Sequence, residues 1–251
     1  MASSLKYIFF FLICTLPGYS MGTTQYLVML SELPAYNSKI RGGFLLGPTA
    51  YGGNATNPMV VLADQAENIQ SVFEWIGMHE FMPNYLATRP WVTHTTCTIS
   101  EISQEACRSF YSMMTGMPNE SLNITMVPTY MSFSPAGSSL TQFTHFAQQF
   151  RNGGRFARFD YGSVKNLLMY GSLEPPEYRL ENVRAPTALY VGDIDGFADP
   201  KDAELLASKL QNVMVYELVE HSNWTHLGFI WHVEAKPLIY DKIVSQMKDL
   251  S

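Results

Sequence analysis

A chain of 251 residues fits one domain, or one domain carrying an insertion. Hydrophobic residues make up 47% and charged ones 15%, enough to fill a buried core. The 16 Lys and Arg against 22 Asp and Glu leave a net charge of −6, and no Lys/Arg run is present to hold phosphates, which excludes nucleic acid as a partner.

The chain opens on "MASSLKYIFFFLICT". Lys6, the apolar run from Tyr7 to Leu16 and Pro17 with small residues after it have the order of a secretory leader, which assigns residues 1–17 to a signal-like segment. The run is about half of the ~20 residues a membrane span needs, so no stable transmembrane span is expected. A buried strand over 7–14 is the competing reading.

Gly18-Tyr19-Ser20-Met21-Gly22 follows as G-x-S-x-G, a turn that can carry a serine nucleophile. The motif alone is weak, because glycine and serine are common. Its placement is stronger. Apolar residues at 26, 27, 30 and 33 predict a helix directly behind it, ended by Pro34. Ser20 then sits beside a helix N-terminus, and the backbone N–H of Met21 faces a developing oxyanion. "IRGGFLLG" reads as a strand over 40–46 that stops at Gly47-Pro48.

Residues 51–185 differ in character, rich in Met, Phe, Tyr, Asn, Ser and Pro. They predict a mostly helical insertion with long loops between two core segments, 18–50 and 186–251. Cys14 belongs to the leader, so Cys97 and Cys107 remain as a pair, which suits one disulfide in an oxidising compartment. Sequons at Asn54, Asn119, Asn123 and Asn223 agree with passage through the secretory pathway. A secreted or lysosomal protein is expected.

From 186 the α/β pattern returns. "TALYVG" is a buried strand over 187–192, and "DIDGFADP" a loop. Asp199 caps a helix that Pro200 opens, with Asp202 in its first turn. A strand over 213–219 leads into "EHSNWTHLGFIWHVEA", a loop with room for one helical turn. Pro237 opens a last helix with Ile239, Ile243 and Met247 on one face.

Serine hydrolysis needs a base to take the hydroxyl proton and an acid to orient that base, in the chain order Ser, Asp/Glu, His. Asp193 and Asp195 both lie past a strand end, where such an acid belongs. Asp199 and Asp202 read as helix-start residues. His221, His226 and His232 follow the last strand, whereas His79, His94 and His145 fall in the insertion and read as packing or surface residues. Spacing leaves Asp195 against Asp193 and His226 against His221 open.

"GDIDGFADPKDAELLASKL" and "NWTHLGFIWHVEAKPLIYDKIV" resemble the closing motifs of the acid lipase family, the gastric and lysosomal acid lipases and their invertebrate relatives. "GYSMGTTQ" resembles the family's nucleophile elbow, and "SPAGSSLTQFTHFAQQFRNGGRFARFDYG" its cap. The match covers about residues 18–249. It implies an α/β-hydrolase fold with a helical cap, and a triad of Ser20 as nucleophile, Asp195 as acid and His226 as base. It also implies a triglyceride or sterol ester as substrate, met at a lipid–water interface. That chemistry requires no metal and no cofactor. Thr225 and Gly228 stand where the family has Asn and Asp. The family also has a long stretch before the elbow, with the opening strands and an H-G-L motif that gives a second oxyanion donor. Nothing before Gly18 matches it, so the resemblance implies an N-terminally truncated member. A non-catalytic, lipid-binding fragment is the alternative expectation.

Overall fold

The computed structural model describes residues 14–83, 97, 99–134, 136–152 and 154–250. Residues 1–13, and with them most of the expected leader, lie outside the described residues, as does His94.

Strand β1 (Cys14–Tyr19) runs into helix α1 (Met21–Glu32), and β2 (Ile40–Leu46) follows a 3-10 turn. The insertion holds α2 (Ala66–Trp75), the two-residue β3 (Glu80–Phe81), α3 (Glu101–Thr115) and α4 (Val127–Phe133). It continues with β4 (Ser138–Ser139), which pairs with β3, then α5 (Leu140–Arg151) and α6 (Ser163–Tyr170). The core resumes at β5 (Thr187–Val191), α7 (Pro200–Lys209), β6 (Val213–Leu218), the single turn α8 (Gly228–Trp231) and α9 (Asp241–Asp249), entered through a π-helical turn.

Among the described residues four strands make one parallel sheet in the order β1-β2-β5-β6. Central strands of a parallel sheet are covered on both faces, so they read as continuous apolar runs. β5 is buried at every residue, and β2 at all but Arg41. Alternation then sorts their side chains. Leu45 and Leu189 point to one face, where Leu27 and Leu30 of α1 and Leu206 of α7 cover them. Phe44, Leu46, Ala188 and Tyr190 point to the other, against Trp224, Phe229, Ile239 and Ile243.

β1 begins at Cys14, so the residues at the end of the expected leader, 14–17, pair with β2. Pro17, which cannot donate to a ladder, lies opposite Phe44 in the outermost strand among the described residues. α1 ends at Glu32 as Pro34 dictates, but Leu33 is 52% exposed rather than part of the apolar face. Cys97, which precedes α3, is joined to Cys107 in the middle of that helix. Ser100 and Ser103 form a reciprocal capping box at the start of α3, and Gly116 closes that helix in the left-handed conformation. Among the described residues no helix is long and apolar enough to cross a membrane.

Candidate active site

Ser20 sits in the turn between β1 and α1 with φ 51° and ψ −119°, a backbone state that costs a non-glycine residue about 1–3 kcal/mol. The surroundings hold it there. Its N–H donates to Leu46 O at 3.0 Å, and its own carbonyl accepts from Thr23 N (2.9 Å) and Thr23 Oγ1 (2.6 Å). Thr49 N donates to Thr23 Oγ1 at 3.0 Å, tying the turn to the loop after β2. Gly18 is required by close approach: a Cβ there would lie 3.0 Å from the Gly22 backbone. Nothing lies within 4 Å of a Cβ at Gly22, so the second glycine of the motif has no such steric reason.

Three of the candidate residues meet. His226 Nε2 lies 2.7 Å from Ser20 Oγ, and His226 Nδ1 lies 2.7 Å from Asp195 Oδ2. A carboxylate only accepts, so the ring proton sits on Nδ1 and Nε2 is free to accept from the serine hydroxyl. Asp195 Oδ1 accepts from the backbone N–H groups of Phe197 (2.9 Å) and Ala198 (2.8 Å). The Asp195 side chain is thereby fully buried with both oxygens satisfied.

Asp193, the competing acid, faces elsewhere. Its carboxylate accepts from Asn223 N (2.9 Å) and Trp224 N (2.5 Å) and so pins the loop that carries His226. Asp199 caps α7 through Lys201 N at 2.8 Å. Asp202 does more than favour a helix start: it is buried and accepts from Asn54 N (2.9 Å) and Nδ2 (2.8 Å). His221 and His232 lie together, ring centroids 4.7 Å apart, away from Ser20. His145 bonds Ala157 O at 2.9 Å, and burial pushes its pKa below the ordinary value against the opposing pull of that bond. His79 is exposed.

Two further residues shape the site and carried little signal in the sequence. Gly47, at φ +55°, comes so close that a Cβ would lie 3.0 Å from His226 Nδ1 and 3.1 Å from Asp195 Oδ2. Its only trace in sequence is a glycine ending an apolar strand. Tyr19 donates its hydroxyl to the His226 carbonyl at 3.0 Å. Burial, then the charge of Asp195, pushes the Tyr19 phenol well above its ordinary pKa, so it remains a donor. The departures at Thr225 and Gly228 also have local consequences. The Thr225 hydroxyl is buried without a partner among the described residues. At Gly228 a Cβ would come within 3.2 Å of the Trp224 indole.

A cavity of about 250 Å³ opens onto Ser20 and His226. Met21, Phe81, Phe143, Phe146, Ala147, Phe150 and Phe197 make its wall almost wholly apolar. Met21 is the first residue of α1, where a backbone N–H has no acceptor inside the helix. Of the sequons, Asn54 uses its amide on Asp202, and Asn119 begins a 3-10 turn. Asn123 is exposed and accepts from Thr125 N and Oγ1, and Asn223 is exposed at φ 67° beside buried Thr225.

No protein-family model matches the sequence. Lipase 3 of Drosophila melanogaster is 37% identical over 232 residues, which are 92% of this chain and 58% of that protein. Lysosomal acid lipase/cholesteryl ester hydrolase of Homo sapiens is 32% identical over 232 residues, 92% of this chain and 56% of that protein. Gastric triacylglycerol lipase of Bos taurus is 29% identical over 236 residues, 92% of this chain and 57% of its own length. The chain therefore spans somewhat over half the length of these relatives. Over that matched length the chain is similar to the lysosomal and gastric acid lipases and to Lipase 3.

Proposed function

We propose that this chain is a serine ester hydrolase for lipid esters, with Ser20 as nucleophile, His226 as base and Asp195 as the acid that orients it. Ser20 Oγ attacks the acyl carbon while its proton passes to His226 Nε2. Asp195 stabilises the imidazolium, and the Met21 N–H at the start of α1 donates to the oxyanion. His226 then gives the proton to the departing alcohol, leaving an acyl ester on Ser20. Water, deprotonated by His226, releases the acid and restores the serine.

The observation that carries this reading is the continuous line Ser20 Oγ, His226, Asp195, with 2.7 Å at each link, opening onto the phenylalanine-lined cavity. An apolar wall with a few convergent polar groups suits an acyl chain presented as an ester. Relatives named for triacylglycerol and cholesteryl ester hydrolysis favour triglycerides or sterol esters at a lipid–water interface. The joined cysteines and the exposed sequon at Asn123 favour a secreted or lysosomal glycoprotein. The test is fatty-acid release from triacylglycerol and cholesteryl ester emulsions by this chain beside Ser20→Ala. Equal rates from the two proteins would remove the proposal.

A further inference from the structure

The two histidines that the triad leaves aside form a group of their own. His221 lies in the loop after β6, His232 just past α8, and Glu234 two residues on; one ligand atom of each lies within 4.8 Å of the others. The sequence alone assigns no metal here, although His221 and His232 lie 11 residues apart with Glu234 two beyond.

Hydrogen bonding within the group is unbalanced. His221 Nδ1 faces Ser222 O at 2.8 Å; a carbonyl only accepts, so Nδ1 carries a proton. His221 Nε2 faces Glu234 Oε2 at 3.3 Å, a pairing that takes either a second proton on Nε2, which makes it an ion pair, or a metal ion in that proton's place. His232, only 6% exposed, has an Nε2 without a partner among the described residues.

We propose that His221, His232 and Glu234 bind one Zn²⁺ ion, with water in the fourth position. Two ligands on a tetrahedral zinc, each about 2.0–2.1 Å from it, stand about 3.3 Å apart, the separation found between His221 Nε2 and Glu234 Oε2. Two imidazoles and a carboxylate are a donor set suited to this ion. The contact from His221 Nδ1 to Ser222 O is the kind of outer-shell bond that orients a ligating imidazole. His221 is half-buried and Glu234 exposed, which provides an entry path and the freedom to close on the ion. Binding moves the His232 proton from Nε2 to Nδ1, so the Glu234 N–H that now donates to Nδ1 at 3.1 Å turns away. The metal bond takes up the buried Nε2, and in exchange the Nδ1 proton and the Glu234 N–H, which face each other, must each find another acceptor.

The ion's role is structural. His221 precedes His226 in one loop, and Trp224, between them, stacks on His232 with centroids 4.4 Å apart. Val233 N donates to Ser121 O at 3.0 Å, and His232 bridges to Leu122, both in the insertion. Zinc here fastens the His226 loop to the segment that touches the insertion. The inference does not depend on ester hydrolysis.

The experiment is calorimetric titration of the chelator-stripped, tag-free full chain with zinc chloride at neutral pH, paired with the electronic absorption of bound Co²⁺. The expected result is one ion per chain, with a Co²⁺ spectrum free of thiolate charge transfer, which excludes Cys14. His221→Ala and Glu234→Gln, at accessible positions, each weaken binding by at least the ~10–100-fold typical of losing even an outer-shell partner. A melting temperature near that of the parent shows that these variants are folded. Absence of binding in the parent overturns the proposal, as does undiminished binding in both variants. Binding that survives them but is lost in His226→Ala belongs to the Ser20 site and overturns it equally.

Discussion

The Tyr19 hydroxyl donates to the backbone carbonyl of His226 at 3.0 Å, joining the residue before Ser20 to the residue proposed as its base. Their rings lie 5.1 Å apart, so one side chain sets both the height and the tilt of the His226 loop against the elbow. Tyr19→Phe keeps the ring and removes the bond. The His226 carbonyl is left without this donor, at a cost of about 1–2 kcal/mol in stability. We expect kcat to fall by up to about tenfold with KM little changed, because the loss acts on alignment rather than substrate contact. Steady-state kinetics with a soluble ester, beside a denaturant melt, checks both parts.

Gly47 is predicted to tolerate no side chain. Its φ of +55° disfavours alanine by about 1–2 kcal/mol, and a Cβ would press on His226 Nδ1 and Asp195 Oδ2 together. A displacement of the base by about 1 Å is worth about 10²-fold in rate. Gly47→Ala therefore loses activity far beyond its loss of stability. Equal activity in parent and variant contradicts the crowding argument.

The apolar cavity predicts a chain-length effect. Ala147, 3% exposed, lies in its wall beside Phe143 and Phe150. Ala147→Leu narrows the space, and we expect the preference for long over short acyl esters to fall by about tenfold or more. Competition between p-nitrophenyl esters of different chain length measures this ratio directly.

His145 gives the insertion a pH dependence. Burial holds its folded pKa below the ordinary value of about 6.5, so the unfolded chain binds the proton more readily. As pH falls through about 6.5 the unfolded state takes up that proton first, and stability drops until the folded pKa is passed. Gln at 145 retains a donor for Ala157 O but does not titrate. Denaturant melts between about pH 7 and 5 should show a shallower loss of stability for His145→Gln than for the parent.

The sequence disclosed the elements whose cause is local. The apolar strands over 40–46 and 187–192, the Pro34 stop and the Asp199-Pro200 start all rest on neighbouring residues, and β2, α1, β5 and α7 stand where those signals put them. Relations between distant residues left less trace. Spacing could not separate Asp193 from Asp195, since both follow β5; what separates them is that one reaches His226 and the other the backbone of Asn223 and Trp224. Gly47 and Tyr19 act on residues far along the chain, and β1 reaches back to Cys14 because pairing with β2 continues past the residues that look like a leader.

The most direct test of the account is the covalent state of Ser20. An alkyl fluorophosphonate, which mimics the acyl transition state, is incubated with the full chain, and the adduct is located by peptide mass spectrometry. The account predicts one adduct per chain, on Ser20, formed far more slowly in His226→Ala, since loss of a triad histidine costs on the order of 10⁶-fold. Ester hydrolysis by a chain whose Ser20 remains unmodified, or labelling that is indifferent to His226, would contradict it.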